Sequence, residues 1–163
     1  MNRAPANGMI ISRAAPLHPV LVHFTIGLVG ASFGFDVLNV FTKVSSLSAA
    51  AWWTIAAGVP VTVVTAITGL ISRRGVAIAE GSASRYLRLH TALGPTFLGS
   101  LIAVAYWRTS FWISGSAPSV LYVVVCGLLV ALMTVQGFIG GELVYRYGVA
   151  VERHYKRLPL HEP

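Results

Sequence analysis

The sequence predicts an all-α fold, an integral membrane four-helix bundle with both termini cytoplasmic. Three observations predict it. Of the 163 residues, 55% are hydrophobic and only 10% charged, with a mean hydropathy of +0.72, whereas soluble domains carry about 25% charged residues. Four apolar stretches reach the roughly 18 residues needed to cross a bilayer. Lysine and arginine are also shared unequally between the segments that join those stretches.

Helix 1 is expected over residues 19–41, after an arm of residues 1–18. Its apolar run is longer than the core of a secretory signal and no compact basic region precedes it, so it is read as a retained span. Helix 2 is expected over 49–71 and helix 3 over 90–107, with local kinks at Pro60 and Pro95 because proline lacks the N–H that the helix ladder needs. Helix 4 is expected over 119–143. Its exit reads "GFIGGELVYRYGVAVE", where Glu142 and Arg146 have the favourable i, i+4 order for an ion pair and Gly148 suits a helix stop. The helical domain therefore covers 19–148, and residues 149–163 form a basic tail.

With four crossings, the termini and the loop 72–89 share one side. That side holds Arg3, Arg13, Arg73, Arg74, Arg85, Arg88, Arg146, Arg153, Lys156 and Arg157, while the loops 42–48 and 108–118 hold only Lys43 and Arg108. By the positive-inside rule the termini are cytoplasmic. Trp52, Trp53, Trp107 and Trp112 all fall at the opposite interface, as an aromatic belt would. The formal charge of +7 is then a collar facing anionic lipid. The lipid bilayer is the expected partner, and nucleic acid is not. Cys126 is the single cysteine, so no intrachain disulfide forms. No nucleophile with a base, phosphate loop or carboxylate pair is recognisable, which leaves no catalytic constellation.

The chemistry that the sequence does offer lies in its histidines. His18, His23, His90, His154 and His161 all fall on the cytoplasmic side, the last two in the tail as solvated residues. His18 and His23 point about 140° apart on a helix, so they do different jobs. His23 heads a stripe with Gly27, Gly30 and Gly34, a face almost without side chains. Such a stripe lets another helix approach closely, or lets a flat macrocycle lie against bare backbone with His23 as axial ligand. His90 shares a face with Gly94 on a helix parallel to helix 1, and His90 with His23 or His18 supplies the two imidazoles of a b-type haem. His23 and His90 are the first-choice metal ligands. A (bacterio)chlorophyll is a variant. Arg74, Arg88 and Arg146 offer cations for carboxylate substituents at the same edge. The competing reading is that these groups snorkel to the interface and bind one another or lipid.

Asp36 is the one acid within helix 1 and takes either a functional role or a structural partner, Lys43 or Arg108. Gln136 and Thr134 are expected to hydrogen-bond between helices. A weak internal repeat at an offset of 72 pairs His18 with His90, Leu21 with Leu93, Ile67 with Ile139, Gly69 with Gly141 and Arg74 with Arg146. It implies two parallel hairpins with His18 and His90 as equivalents.

The stretches "HPVLVHFTIGL", "LH" at residues 89–90 and "GGELVYRYGVAV" resemble the bacterial membrane family called domain of unknown function 2231, over roughly residues 18–151. Thr25 stands where that family's pattern has proline, and the exit "GLISRRG" lacks the acidic residue often found there. The resemblance implies a compact four-helix domain in a bacterial inner (cytoplasmic) membrane, with His18, His23 and His90 at the motif positions. It implies no established activity. The expected function is cofactor binding with electron transfer. The alternatives are an accessory or stabilising subunit of a larger membrane complex, or a homodimer, and a transporter is disfavoured by the scarcity of polar groups within the spans.

Overall fold

The computed structural model describes residues 17–74 and 81–149, so His154, His161 and the basic tail lie outside the described residues. Four helices follow one another: α1 Leu17–Thr42, α2 Ser45–Arg74, α3 Ser82–Ser114 and α4 Val120–Gly141, the last running into a π-helical turn, Glu142–Arg146. All four are long and apolar enough to span a membrane. The described residues contain no strand.

The helices are longer than their apolar runs because a helix ends at a backbone signal and not where hydropathy falls. α3 starts at Ser82, eight residues ahead of His90, after Gly81 with φ 143°, and it stops at Gly115 with φ 65°. There Ser116 N–H bonds the Phe111 carbonyl at 3.0 Å, the six-to-one closure of a glycine-terminated helix. At 33 residues it is about 50 Å long, well beyond the roughly 30 Å of hydrocarbon, so its first two turns carry Arg85 and Arg88 as a polar extension. α4 opens with Ser119, whose hydroxyl accepts from Tyr122 N–H at 3.2 Å. After α4 the chain turns at Gly148, φ 63°, where sequence analysis expected the stop.

Each helix packs against two neighbours, α1 and α3 both lying between α2 and α4, which makes α1 and α3 one diagonal of a square and α2 and α4 the other. The α1–α2 contact is the most extensive. Buried positions alternate by four and three along every helix: Thr25, Val29, Ser32, Asp36 and Asn39 on α1; Ala51, Ile55, Gly58, Thr62 and Thr65 on α2; Phe97, Leu101, Val104 and Arg108 on α3; Tyr122, Cys126, Leu129 and Met133 on α4. This heptad rhythm is that of a left-handed bundle. Large apolar side chains such as Phe24, Phe41, Leu128 and Phe138 are exposed on the outer surface, where lipid replaces water and no driving force turns them inward.

Candidate functional site

The two buried faces of α1 and α3 are copies in register. Thr25, Val29, Ser32 and Asp36 correspond to Phe97, Leu101, Val104 and Arg108, each 72 residues on. In the second helices the offset is 71: Ala51, Ile55, Gly58 and Thr62 correspond to Tyr122, Cys126, Leu129 and Met133. Sequence comparison at a constant 72 pairs Gly69 with Gly141, and the burial pattern corrects this to Gly140. The π-helical turn at Glu142–Arg146 then adds back one residue, so that Arg74 and Arg146 correspond again at 72.

Side chains obey the same correspondence. A Cβ built on Gly69 would lie 2.8 Å from His18 Cε1, and one built on Gly140 would lie 3.1 Å from His90 Cε1. Each imidazole therefore occupies a notch that only glycine leaves open on the second helix of its hairpin. His18 Nδ1 donates to the Thr65 carbonyl at 3.0 Å. A carbonyl only accepts, so Nδ1 carries the proton and Nε2 of the neutral ring presents its lone pair. Gln136, the counterpart of Thr65, donates through Nε2 to the His90 carbonyl at 2.9 Å, as the expected interhelical bond. Gly94 lies beside that amide, with a built Cβ in ordinary contact at 3.5 Å from Gln136 Nε2. His18 and His90 stand at equivalent positions on the two diagonal helices. His90 Nδ1, Gln136 Oε1 and Ser72 Oγ are buried without a hydrogen-bond partner.

His23 is placed elsewhere. It is exposed, with Nδ1 donating to the Pro19 carbonyl at 2.6 Å. Among the described residues, no atom outside the adjacent helix backbone comes within 4 Å of a Cβ built on Gly27, Gly30 or Gly34. The glycine stripe thus faces away from the bundle, because the heptad face of α1 is the one through Thr25 and Val29. On α1 the imidazole turned into the bundle is therefore that of His18, against Gly69, and not that of His23. Arg88 is exposed and donates to Ser84 Oγ at 2.7 Å. Arg146 forms its expected bond to Glu142 Oε2 at 3.3 Å, on the surface. The Tyr86 and Tyr147 rings meet at 5.5 Å between centroids, tying the extension of α3 to the end of α4. Thr134, expected between helices, bonds instead to the Val130 carbonyl of its own helix at 2.9 Å.

A second polar centre lies at the hairpin-loop end. Arg108 Nε donates to both Asp36 carboxylate oxygens, at 3.0 and 3.1 Å, and both side chains are fully buried. Arg108 NH2 reaches the Ser48 carbonyl at 2.8 Å and its hydroxyl at 2.9 Å. Arg108 NH1 and the Tyr122 hydroxyl are buried without partners. Between the two ends, Thr25, Thr62 and Thr65 join hydroxyls across α1 and α2 at 3.2 and 3.4 Å. Of the two partners expected for Asp36, Lys43 and Arg108, the structure selects Arg108, and the repeat carries the signal: positions 36 and 108 are equivalents that meet across the diagonal.

Among the described residues no three His, Cys, Asp or Glu side chains gather as a metal cage. A family model described as "Predicted membrane protein (DUF2231)" matches residues 14–153. No curated protein and no solved structure matches the chain.

Proposed function

We propose, for a chain that belongs to the predicted membrane protein family DUF2231, that it binds a tetrapyrrole, b-type haem, through His18 and His90 and serves electron transfer in a bacterial cytoplasmic membrane. The observation that carries the reading is the pair of imidazoles at equivalent positions on diagonal helices, each seated in a glycine notch. Four-helix bundles hold cofactors between facing helices in this way. The bond from His18 Nδ1 to a backbone carbonyl is the support that an axial imidazole needs to present Nε2. Arg88 and Arg146, exposed at the same end, are the cations for haem propionates. The ten-to-two distribution of lysine and arginine supports cytoplasmic termini.

The test is the absorption spectrum and iron content of the purified protein from cells supplied with a haem precursor. One iron per chain with a Soret band that sharpens on reduction is expected, lost in His18→Ala and in His90→Ala and kept in His23→Ala. A wild-type protein without Soret band or iron overturns the reading, and an extracted magnesium pigment replaces haem with a (bacterio)chlorophyll.

The outward stripe His23, Gly27, Gly30 and Gly34 favours a second reading, an accessory subunit whose exposed α1 face packs on a helix of a larger membrane complex or of a second copy. Cross-linking from a cysteine placed at Gly30 in native membranes, with only monomer recovered, counts against it.

A further inference from the structure

Beside the polar centre at the hairpin-loop end, and sharing Ser48 with it, lies a half-open cavity of about 380 Å³ lined by Asn39, Lys43, Ser45, Ser48, Trp112 and Ser116. That volume lies in the range of small-ligand sites. We propose that this cavity binds a phosphate group, carried by a lipid headgroup or free. The site is separate from the His18 and His90 pair and stands whether or not that pair holds a cofactor.

Charge argues for an anion. The described residues contain two carboxylates, Asp36 and Glu142; Asp36 is taken by Arg108 and Glu142 by Arg146. The Lys43 ammonium lining the cavity is thus left without a carboxylate partner among the described residues. Arg108, its charge matched by Asp36, contributes through the wall it orders. Arg108 NH2 donates to Ser48 Oγ at 2.9 Å, which occupies a lone pair of that hydroxyl and leaves its proton to be donated elsewhere. Ser45 and Ser116 add hydroxyls, and Asn39, only 3% exposed, adds an amide. Such a set of donors around one cation matches phosphate oxygens.

The backbone gives an independent mark. Lys43 is the one non-glycine residue with positive φ among the described residues, at 58°. Its N–H bonds the Asn39 carbonyl at 2.9 Å, ending α1 at a position where glycine is the usual residue. Keeping a lysine there sacrifices stability, and strain of this kind gathers at functional sites. The wall is preorganised as well: Trp112 stacks on Trp52 with centroids 5.1 Å apart, and Trp52 Nε1 donates to Thr109 at 3.3 Å. Tryptophans place this mouth at headgroup depth, where lipid phosphates reside.

The experiment measures the thermal unfolding of the full chain in detergent with phosphatidylglycerol, with diacylglycerol, which lacks phosphate, and with inorganic phosphate. A concentration-dependent rise in Tm with phosphatidylglycerol and none with diacylglycerol identifies a lipid source; a rise with inorganic phosphate identifies a free one. Lys43→Gly separates binding from folding, because it relieves the backbone while removing the charge. It is expected to leave the ligand-free protein at least as stable and to weaken the phosphate response about tenfold, the size of one charged hydrogen bond, whereas Lys43→Arg retains it. An equal response to diacylglycerol, no response to either phosphate source, or an undiminished response in Lys43→Gly overturns the proposal.

Discussion

The two hairpins share one pattern of buried positions and fill it with opposite chemistry. In α1 and α2 the interior is small and polar, with Thr25, Ser32, Asp36, Asn39, Gly58, Thr62 and Thr65; in α3 and α4 the equivalents include Phe97, Val104, Leu129 and Met133. Except where Ile55 faces the register of Cys126, the first-hairpin residue is the smaller of each pair. Small residues let α1 and α2 approach and exchange hydrogen bonds, as Ser32 Oγ does with the Ala51 carbonyl at 2.8 Å. The bulk required to fill the centre then comes from α3 and α4. In a bilayer, where burial in protein gains little over burial in lipid, close packing and polar pairing hold the helices together, and the two hairpins divide these tasks.

The strongest way to break the comparison is at its one charged pair. Asp36→Asn or Arg108→Met alone leaves a buried group without its counterpart and is expected to destabilise the protein by about 3–5 kcal/mol, read as the midpoint of denaturant unfolding in micelles. The double variant Asp36→Leu with Arg108→Met should recover most of that loss, since an apolar pair of similar volume removes both charges together. A double variant no better than either single one would show that Ser48, bonded to Arg108, depends on the pair.

Exchanging bulk between the hairpins comes next. Gly58→Leu puts the α4 residue into α2, where a Cβ already meets Val29 Cγ2 at 3.6 Å and Leu28 Cβ at 3.7 Å. Overpacking of about 1–3 kcal/mol is expected, measured in the same unfolding assay. Unchanged stability would mean that α1 and α2 separate at little cost.

The glycine notches give a sharper comparison with a built-in control. Gly69→Ala and Gly140→Ala both drive a methyl into an imidazole, at 2.8 and 3.1 Å, whereas Gly141→Ala meets nothing nearer than Tyr145 Cδ2 at 4.0 Å. The first two should displace His18 and His90 and abolish the expected Soret band, and Gly141→Ala should leave it unchanged. Equal spectra for all three would detach the notches from cofactor binding.

The smallest effect is expected for Thr25→Val, which keeps shape and removes a hydroxyl shared with Thr62 and Thr65. A loss of about 0.6 kcal/mol is typical of such bonds between membrane helices, detectable as a small shift of the unfolding midpoint.

Much of the fold was legible because spans declare themselves by composition. Four apolar runs, the stop at Gly148 and the ion pair at Arg146 follow from local rules. Helix ends were less legible: α3 continues through polar residues from Ser82 to His90 because no breaker intervenes. The candidate site was half legible. The sequence marks His18, His90 and Gly94, and the structure seats them in two equivalent groups: His18 against Gly69, and His90 against Gly140 with Gly94 beside Gln136. His23 was ranked above His18 because its glycine stripe is conspicuous in sequence, yet a bare face reads the same whether it meets a helix, a cofactor or lipid.

The sequence by itself determined a membrane protein of four helices, since the cost of exposing peptide groups to hydrocarbon leaves an apolar run of that length little choice but to be helical. It also held the repeat, although at an offset that slips by one residue in the second helix and returns through the π-helical turn. Tertiary structure alone decided that positions 36 and 108 face each other, that His18 and not His23 turns into the bundle, and that a lysine at a strained helix end lines a cavity. These depend on which stripe of each helix turns inward, and in a bilayer hydropathy marks no such stripe, because lipid-facing and protein-facing surfaces are equally apolar.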